Sequence, residues 1–125
     1  MIKAVLLLGS NVGNKKKQLK KAVEKISESH IILKTSKYYQ SPSWGYSSEN
    51  EFLNLGVLIE CHCSAEMLLS QLLNIEKQIG RYRSNVSIYQ DRNIDIDIIL
   101  FGQQEIYNEN LVVPHPRMHL SLIHI

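Results

Sequence analysis

Residues 94–98, Ile-Asp-Ile-Asp-Ile, alternate apolar and acidic side chains inside the strongly β-favouring run from Arg92 to Gly102, RNIDIDIILFG. Successive side chains on a strand point to opposite faces, so the isoleucines share one face and Asp95 and Asp97 share the other. A chain containing such a strand needs a sheet with one face buried against apolar neighbours and one face left open. On the open face two like charges repel, and Asp is a poor strand former. Either the pair belongs to a solvated polar stripe, or a cation compensates it.

The remaining periodicities supply the other layers of that sheet. Residues 2–9 are a continuous apolar run ending in Gly9-Ser10-Asn11, which suits a central strand opening into a turn. From about Asn14 to Ser29, Leu19, Ala22, Val23 and Ile26 recur at helical spacing, with lysines opposite. Residues 31–39, IILKTSKYY, read as one strand, and SPSWGYSSENE, with Pro42 and Gly45, reads as a loop. Phe52 to Cys61 returns to strand character, with Leu53, Leu55, Val57 and Ile59 on the core side and Phe52, Asn54 and Gly56 on the other. Ser64 is an N-cap for a second helix with the stripe Leu68, Leu72, Ile75, Ile79, closed by Gly80. Residues 84–91 read as loop, and Leu111–Val113 as a short extended piece before Pro114. The order β-α-β-β-α-β predicts an α+β, ferredoxin-like sandwich, an antiparallel sheet with two helices packed on one face. Phe52, Asn54, Asp95 and Asp97 then share the uncovered face.

At 125 residues the chain is one domain with 44% apolar and 21% charged residues, a globular composition. Its net charge of +2 does not mark a nucleic-acid binder, although Lys15, Lys16, Lys17, Lys20 and Lys21 crowd one helix face that reads as solvated. No apolar span is long enough for a membrane, and the N-terminal run is too short for a secretory signal. Cys61 and Cys63 stand too close in sequence to staple a fold, so a reducing, cytoplasmic setting is expected.

Three constellations carry chemistry. Paired carboxylates two residues apart on one strand face lie roughly 6.5–7 Å apart at the backbone and can converge on hard cations such as Mg²⁺. Arg81, Arg83 and Arg92 bracket the region before them, and guanidinium forks match phosphate oxygens; surface ion pairing is the alternative use. Acidic metal ligands beside arginines suit a polyphosphate substrate. Glu76 either holds a ribose hydroxyl or pairs with Arg83. No glycine-rich phosphate loop of either common type is present. His115 and His119, with Cys61 and Cys63, form a second possible set, a structural zinc site of unusual spacing. Trp44 is a candidate lid or surface anchor.

Six segments together resemble the 6-hydroxymethyl-7,8-dihydropterin pyrophosphokinase family of the folate pathway. They are LLLGSNVGN at 6–14, SKYYQSPSWG at 36–45, EFLNLGV at 51–57, IEKQIGRYR at 75–83, DRNIDIDIILFG at 91–102 and LVVPHPRMH at 111–119. The resemblance implies transfer of pyrophosphate from ATP to the pterin's hydroxymethyl oxygen, with release of AMP. It implies Asp95 and Asp97 as ligands to two Mg²⁺ ions, and Arg81, Arg83 and Arg92 as triphosphate contacts. Glu76, Ile98 and His115 would line the nucleotide site. Ser41, Pro42, Trp44, Phe52, Asn54 and Asp95 would hold the pterin, with Asn54 hydrogen-bonding the ring and Phe52 stacking on it.

The chain departs from the family's pattern in several places. The loop before Arg92 reads SIYQD, where members commonly carry Trp; Asn110 and Ser121 stand where members often have phosphate-binding arginines. The sequence ends at Ile125 without the family's usual C-terminal segment, so the expectation is one pyrophosphokinase domain over residues 1–125. The expected partners are ATP and a dihydropterin, with no nucleic acid, membrane or obligatory protein partner. Single-stranded RNA-binding sheets share the element order, but they rely on exposed aromatics and basic residues. Two carboxylates on the open face would repel RNA. A zinc-stabilised interaction domain is the third class.

Overall fold

The computed structural model describes residues 1–41, 51–80 and 94–114. The first apolar run forms β1 (Ile2–Ser10), and the lysine-rich amphipathic stretch forms α1 (Lys15–Ser27). Asn14 caps that helix, its side-chain oxygen accepting the Lys17 N–H at 3.2 Å. The expected helix over 14–29 is thus shorter at both ends. Residues 29 and 30 instead close it with backbone bonds to the Ile26 carbonyl.

The single strand expected over 31–39 divides into β2 (Ile31–Thr35) and β3 (Tyr39–Ser41). Both pair antiparallel with β4 (Phe52–Cys61), but Thr35 faces Val57 while Tyr39 faces Asn54, a slip of one residue. Ser36 makes the break. Its N–H donates to the Gly56 carbonyl at 2.9 Å, and its hydroxyl accepts the Gly56 N–H at 2.8 Å in place of a ladder carbonyl. The slip puts Tyr39 and Ser41 opposite Asn54 and Phe52.

Helix α2 (Ala65–Gly80) starts where expected, with the Ser64 hydroxyl accepting the Met67 N–H at 3.2 Å. The aspartate strand is β5 (Asp95–Phe101). It turns at Gly102, whose φ of 57° suits a residue without Cβ. A two-residue pairing of β6 (Ile106–Tyr107) with β7 (Val112–Val113) follows; β6 was not expected.

The main sheet has the order β2-β4-β1-β5, with β3 extending the line of β2 along β4 and every pairing antiparallel. With α1 and α2 connecting its strands, this is the ferredoxin-like plan. Leu8 is aligned with Leu55 on one side and Ile96 on the other, and Leu6 likewise with Val57 and Ile98. These rows meet Leu19, Ala22 and Ile26 of α1 and Leu68, Leu72 and Ile75 of α2 in one buried cluster. A fully buried aliphatic side chain contributes about 1.5–3 kcal/mol, so these rows hold the register of the sheet. One slipped residue would turn the aspartates into the core. None of the described helices is long and apolar enough to cross a membrane.

Candidate active site

Because the core register is fixed, so is the composition of the opposite face. Tyr39, Asn54, Gly9 and Asp95 are aligned, strand by strand, in one row across β3, β4, β1 and β5. Aligned residues of paired strands project from the same side of the sheet. The next positions along that side are Phe52 on β4 and Asp97 on β5, the latter aligned with Leu7. Asp95 and Asp97 are half-buried, while Ile94, Ile96 and Ile98 are 4%, 5% and 2% exposed. The two carboxylates therefore share the face away from the helices.

Asn54 is buried at 6% exposure and anchored at one end. Its amide nitrogen donates to the Ser41 hydroxyl at 2.7 Å and to the main-chain oxygens of Tyr39 and Phe52 at 3.3 and 3.4 Å. Those bonds turn its oxygen towards Gly9, 3.1 Å from where a Cβ on Gly9 would stand. The Phe52 ring comes equally close to that point, with Cδ1 at 3.1 Å. Gly9 is thus the floor between an amide oxygen, an aromatic ring and a carboxylate. Sequence reading treated it as the entrance to a turn. The available signal was a glycine inside a strand, which marks close approach of other atoms, but its neighbours come from a strand more than 40 residues away.

Glu76 has a partner within the chain. From the fourth turn of α2 its Oε2 accepts the Ile96 N–H at 2.7 Å. Ile96 lies between the two aspartates, on a strand that among the described residues pairs in the main sheet with β1 alone. The carboxylate therefore fixes the outer edge of β5 where the acidic pair is mounted. Ile98 is in the core opposite Leu6, so only its main-chain groups remain for a nucleotide. Ser41 acts on Asn54. Of the remaining candidates, Pro42, Trp44, Arg81, Arg83, Arg92 and His115 lie outside the described residues.

The mouth of the β1–α1 turn is held by polar bonds. Gln18 donates to the Ser10 hydroxyl at 3.0 Å and to the Val12 carbonyl at 2.9 Å, and Lys15 donates to the Glu51 carbonyl at 2.9 Å. Lys16 lies 5.1 Å from the centre of the Tyr38 ring, a cation–π distance. Ser10 and Asn11 are fully buried, so the end of β1 beside Gly9 is rigidly seated. The Cys61–Cys63 pair is at the other end of β4. His119, like His115, lies outside the described residues, so the four-ligand zinc set of the sequence reading is not assembled among them.

Arranged in this way, the face offers an acceptor and a ring at one end and two hard oxygen donors at the other. Comparison with known proteins shows the family of the chain. The family profile described as 7,8-dihydro-6-hydroxymethylpterin-pyrophosphokinase matches residues 5–122. The 2-amino-4-hydroxy-6-hydroxymethyldihydropteridine pyrophosphokinase of Haemophilus influenzae is 36% identical over 122 residues, covering 95% of this chain and 74% of the relative. Its namesake in Bacillus subtilis is 35% identical over 121 residues, covering 95% and 71%. In Aquifex aeolicus the corresponding enzyme is 36% identical over 116 residues, covering 93% and 71%. On the match to nearly the whole sequence, the chain belongs to the 7,8-dihydro-6-hydroxymethylpterin-pyrophosphokinase family, an ATP-dependent pyrophosphotransferase of folate biosynthesis.

Proposed function

We propose that the open face binds the dihydropterin at its Asn54 end and magnesium-loaded ATP at its Asp95 end, and that the pyrophosphoryl group crosses between them. The observation that carries this reading is the aligned row Asn54–Gly9–Asp95. Neighbouring strands are about 4.8 Å apart, so the row sets the amide and the carboxylate about 10 Å apart at the backbone. That span suits a bicyclic ring hydrogen-bonded at one end and carrying its hydroxymethyl group at the other.

In this reading the Asn54 oxygen accepts from the ring's N–H donors, and Phe52 stacks on its face. Stacking on an aromatic ring adds about 0.5–1.5 kcal/mol beyond the area it covers. The missing side chain at Gly9 lets the ring lie against the sheet. Ser41 and Glu76 hold Asn54 and β5 in place, through their bonds to the Asn54 amide and the Ile96 N–H. Positioning of this kind is most of what phosphoryl transfer asks of a protein.

Asp95 and Asp97 fit a magnesium site by their chemistry and placement. Both are hard oxygen donors, both are half-buried, and both sit on one face two residues apart. With a backbone separation of about 6.5–7 Å, the two carboxylates would hold the two ions between them. When bound, the ions neutralise phosphate oxygens and lower the pKa of the coordinated alcohol. Arg81 and Arg83 follow α2 directly in sequence, and Arg92 precedes Asp95 by three positions. We assign them to the triphosphate, with His115 and the main chain at Ile98 on the nucleotide. Pro42 and Trp44 belong to the pterin side.

The hydroxymethyl oxygen forms a bond to the β-phosphorus as the bond from that phosphorus to the α-phosphate oxygen breaks. AMP leaves, and the alcohol proton passes to solvent. The test is product analysis with ATP, magnesium and the hydroxymethyl dihydropterin. AMP and pterin diphosphate in equal amounts support the proposal; ADP as the nucleotide product contradicts it.

A further inference from the structure

At the end of β4 remote from the pterin row, the fold gathers three metal-ligating side chains that the transfer reaction does not use. His30, Cys61 and Cys63 bring their ligand atoms within 4.8 Å of one another. From Asn54 to Cys61 the strand runs about 23 Å at ~3.3 Å per residue, so this cluster is separate from the aspartate site. His30 and Cys61 are 5% and 1% exposed, and Cys63 is half-exposed, leaving one route of access. Both cysteines are free.

We propose that His30 Nδ1, Cys61 Sγ and Cys63 Sγ bind a thiophilic d¹⁰ cation, Zn²⁺ in the first instance. Three features of the cluster support it. The sulfurs are 3.7 Å apart; two thiolates about 2.3 Å from one tetrahedral zinc stand about 3.8 Å apart. A disulfide would need closure to about 2.05 Å. The imidazole is already in the required tautomer. Its Nε2–H donates to the Gln71 side-chain oxygen at 2.7 Å, which leaves the lone pair on Nδ1. Metal-bound histidines usually donate their other N–H to such an acceptor.

That lone pair is directed to the backbone between the cysteines. Nδ1 accepts the His62 N–H at 3.4 Å, a bond long enough to yield to a metal. Thiolate and imidazole ligands favour zinc over magnesium, so the two sites do not compete. Burial, the hydrogen bond to Cys61 and the charge of Cys61 push the Cys63 thiol up to about 11. Binding takes the sulfurs as thiolates and therefore releases protons. With three protein ligands, the fourth position of the ion is left to water on the side of exposed His62. The ion would join the end of α1, the end of β4 and, through Gln71, α2, as a staple across the covered face of the sheet.

The test is anaerobic titration of the reduced full chain with Co²⁺, followed by displacement with Zn²⁺. The expected result is a thiolate-to-cobalt charge-transfer band that saturates at one ion per chain and disappears with zinc. Cys63→Ser should weaken zinc binding by at least ~100-fold, and Gln71→Leu by about 10–100-fold with the two-thiolate spectrum retained. Far-ultraviolet circular dichroism and AMP formation should be unchanged in both variants, so failure here is distinct from failure of the pyrophosphokinase reading. Absence of a saturable band in the wild type overturns the proposal. Wild-type affinity in folded Cys63→Ser also overturns it.

Discussion

Gly9→Ala isolates the contribution of a missing side chain to the pterin end of the site. The new Cβ would stand 3.1 Å from both the Asn54 oxygen and Phe52 Cδ1, and 3.7 Å from Phe52 Cε1. Each of the two nearer atoms must retreat by a few tenths of an ångström. Asn54 is restrained, because its nitrogen is 2.7 Å from the Ser41 hydroxyl. Most of the displacement therefore falls on the Phe52 ring. A misplacement of about 1 Å costs on the order of 100-fold in rate, so a shift of a few tenths should cost roughly 10-fold in kcat/KM for the pterin. That is about 1.4 kcal/mol of transition-state stabilisation. Overpacking costs about 1–3 kcal/mol, offset by about 0.5–1 kcal/mol from replacing a strand glycine, so the variant should remain folded. The assay is AMP formation at varied pterin, paired with calorimetric titration of α,β-methylene ATP and magnesium. The loss should appear with the pterin and leave nucleotide affinity unchanged. Wild-type kcat/KM for the pterin, or an equal loss on the nucleotide side, would refute the reasoning.

Five other substitutions separate the parts of the site. Asp95→Asn and Asp97→Asn should each reduce turnover by at least ~100-fold, while urea unfolding shows both variants still folded. Glu76→Leu removes a charge-assisted bond to the Ile96 N–H and should lower stability by about 1.5–3 kcal/mol in the same assay. Ser41→Ala takes away the shortest restraint on the Asn54 amide; we expect about 0.5–1.5 kcal/mol of lost stability and a raised KM for the pterin alone. Burial raises the Tyr39 pKa above its ordinary 10.0, so the unfolded chain releases that proton first. The stability this contributes is present below pH 10 and declines as pH rises through the folded value, a slope that Tyr39→Phe should flatten in alkaline urea titrations.

What the sequence disclosed follows from how each feature is encoded. The β4 and β5 faces were legible because one side of each strand is buried, which imposes a period of two on Leu55, Val57 and Ile59 and on Ile94, Ile96 and Ile98. The helix stripes and the Ser64 cap are likewise local, and they appeared at the expected positions. The division between β2 and β3 was not legible, because it depends on the Ser36 hydroxyl replacing a ladder carbonyl for Gly56, 20 residues away. The two-residue β6 is too short to carry a period. The bond of Glu76 to the Ile96 N–H was not legible, because a main-chain partner has no signature in residue types. His30 was passed over for a related reason: its partners Gln71 and His62 are 41 and 32 residues distant. The family resemblance gave the arginines and His115 their places on the nucleotide and added the pterin loop. These lie outside the described residues, so their assignments stand on the matched motifs.

The central claim is that the carboxylate pair on the open face grips the cations that accompany ATP. Calorimetric titration of α,β-methylene ATP into the wild type and the Asp95→Asn/Asp97→Asn double variant, each with and without magnesium, tests it most directly. The account predicts that magnesium strengthens nucleotide binding by at least ~10-fold in the wild type and leaves it unchanged in a folded double variant. Equal magnesium enhancement in both proteins would contradict the account.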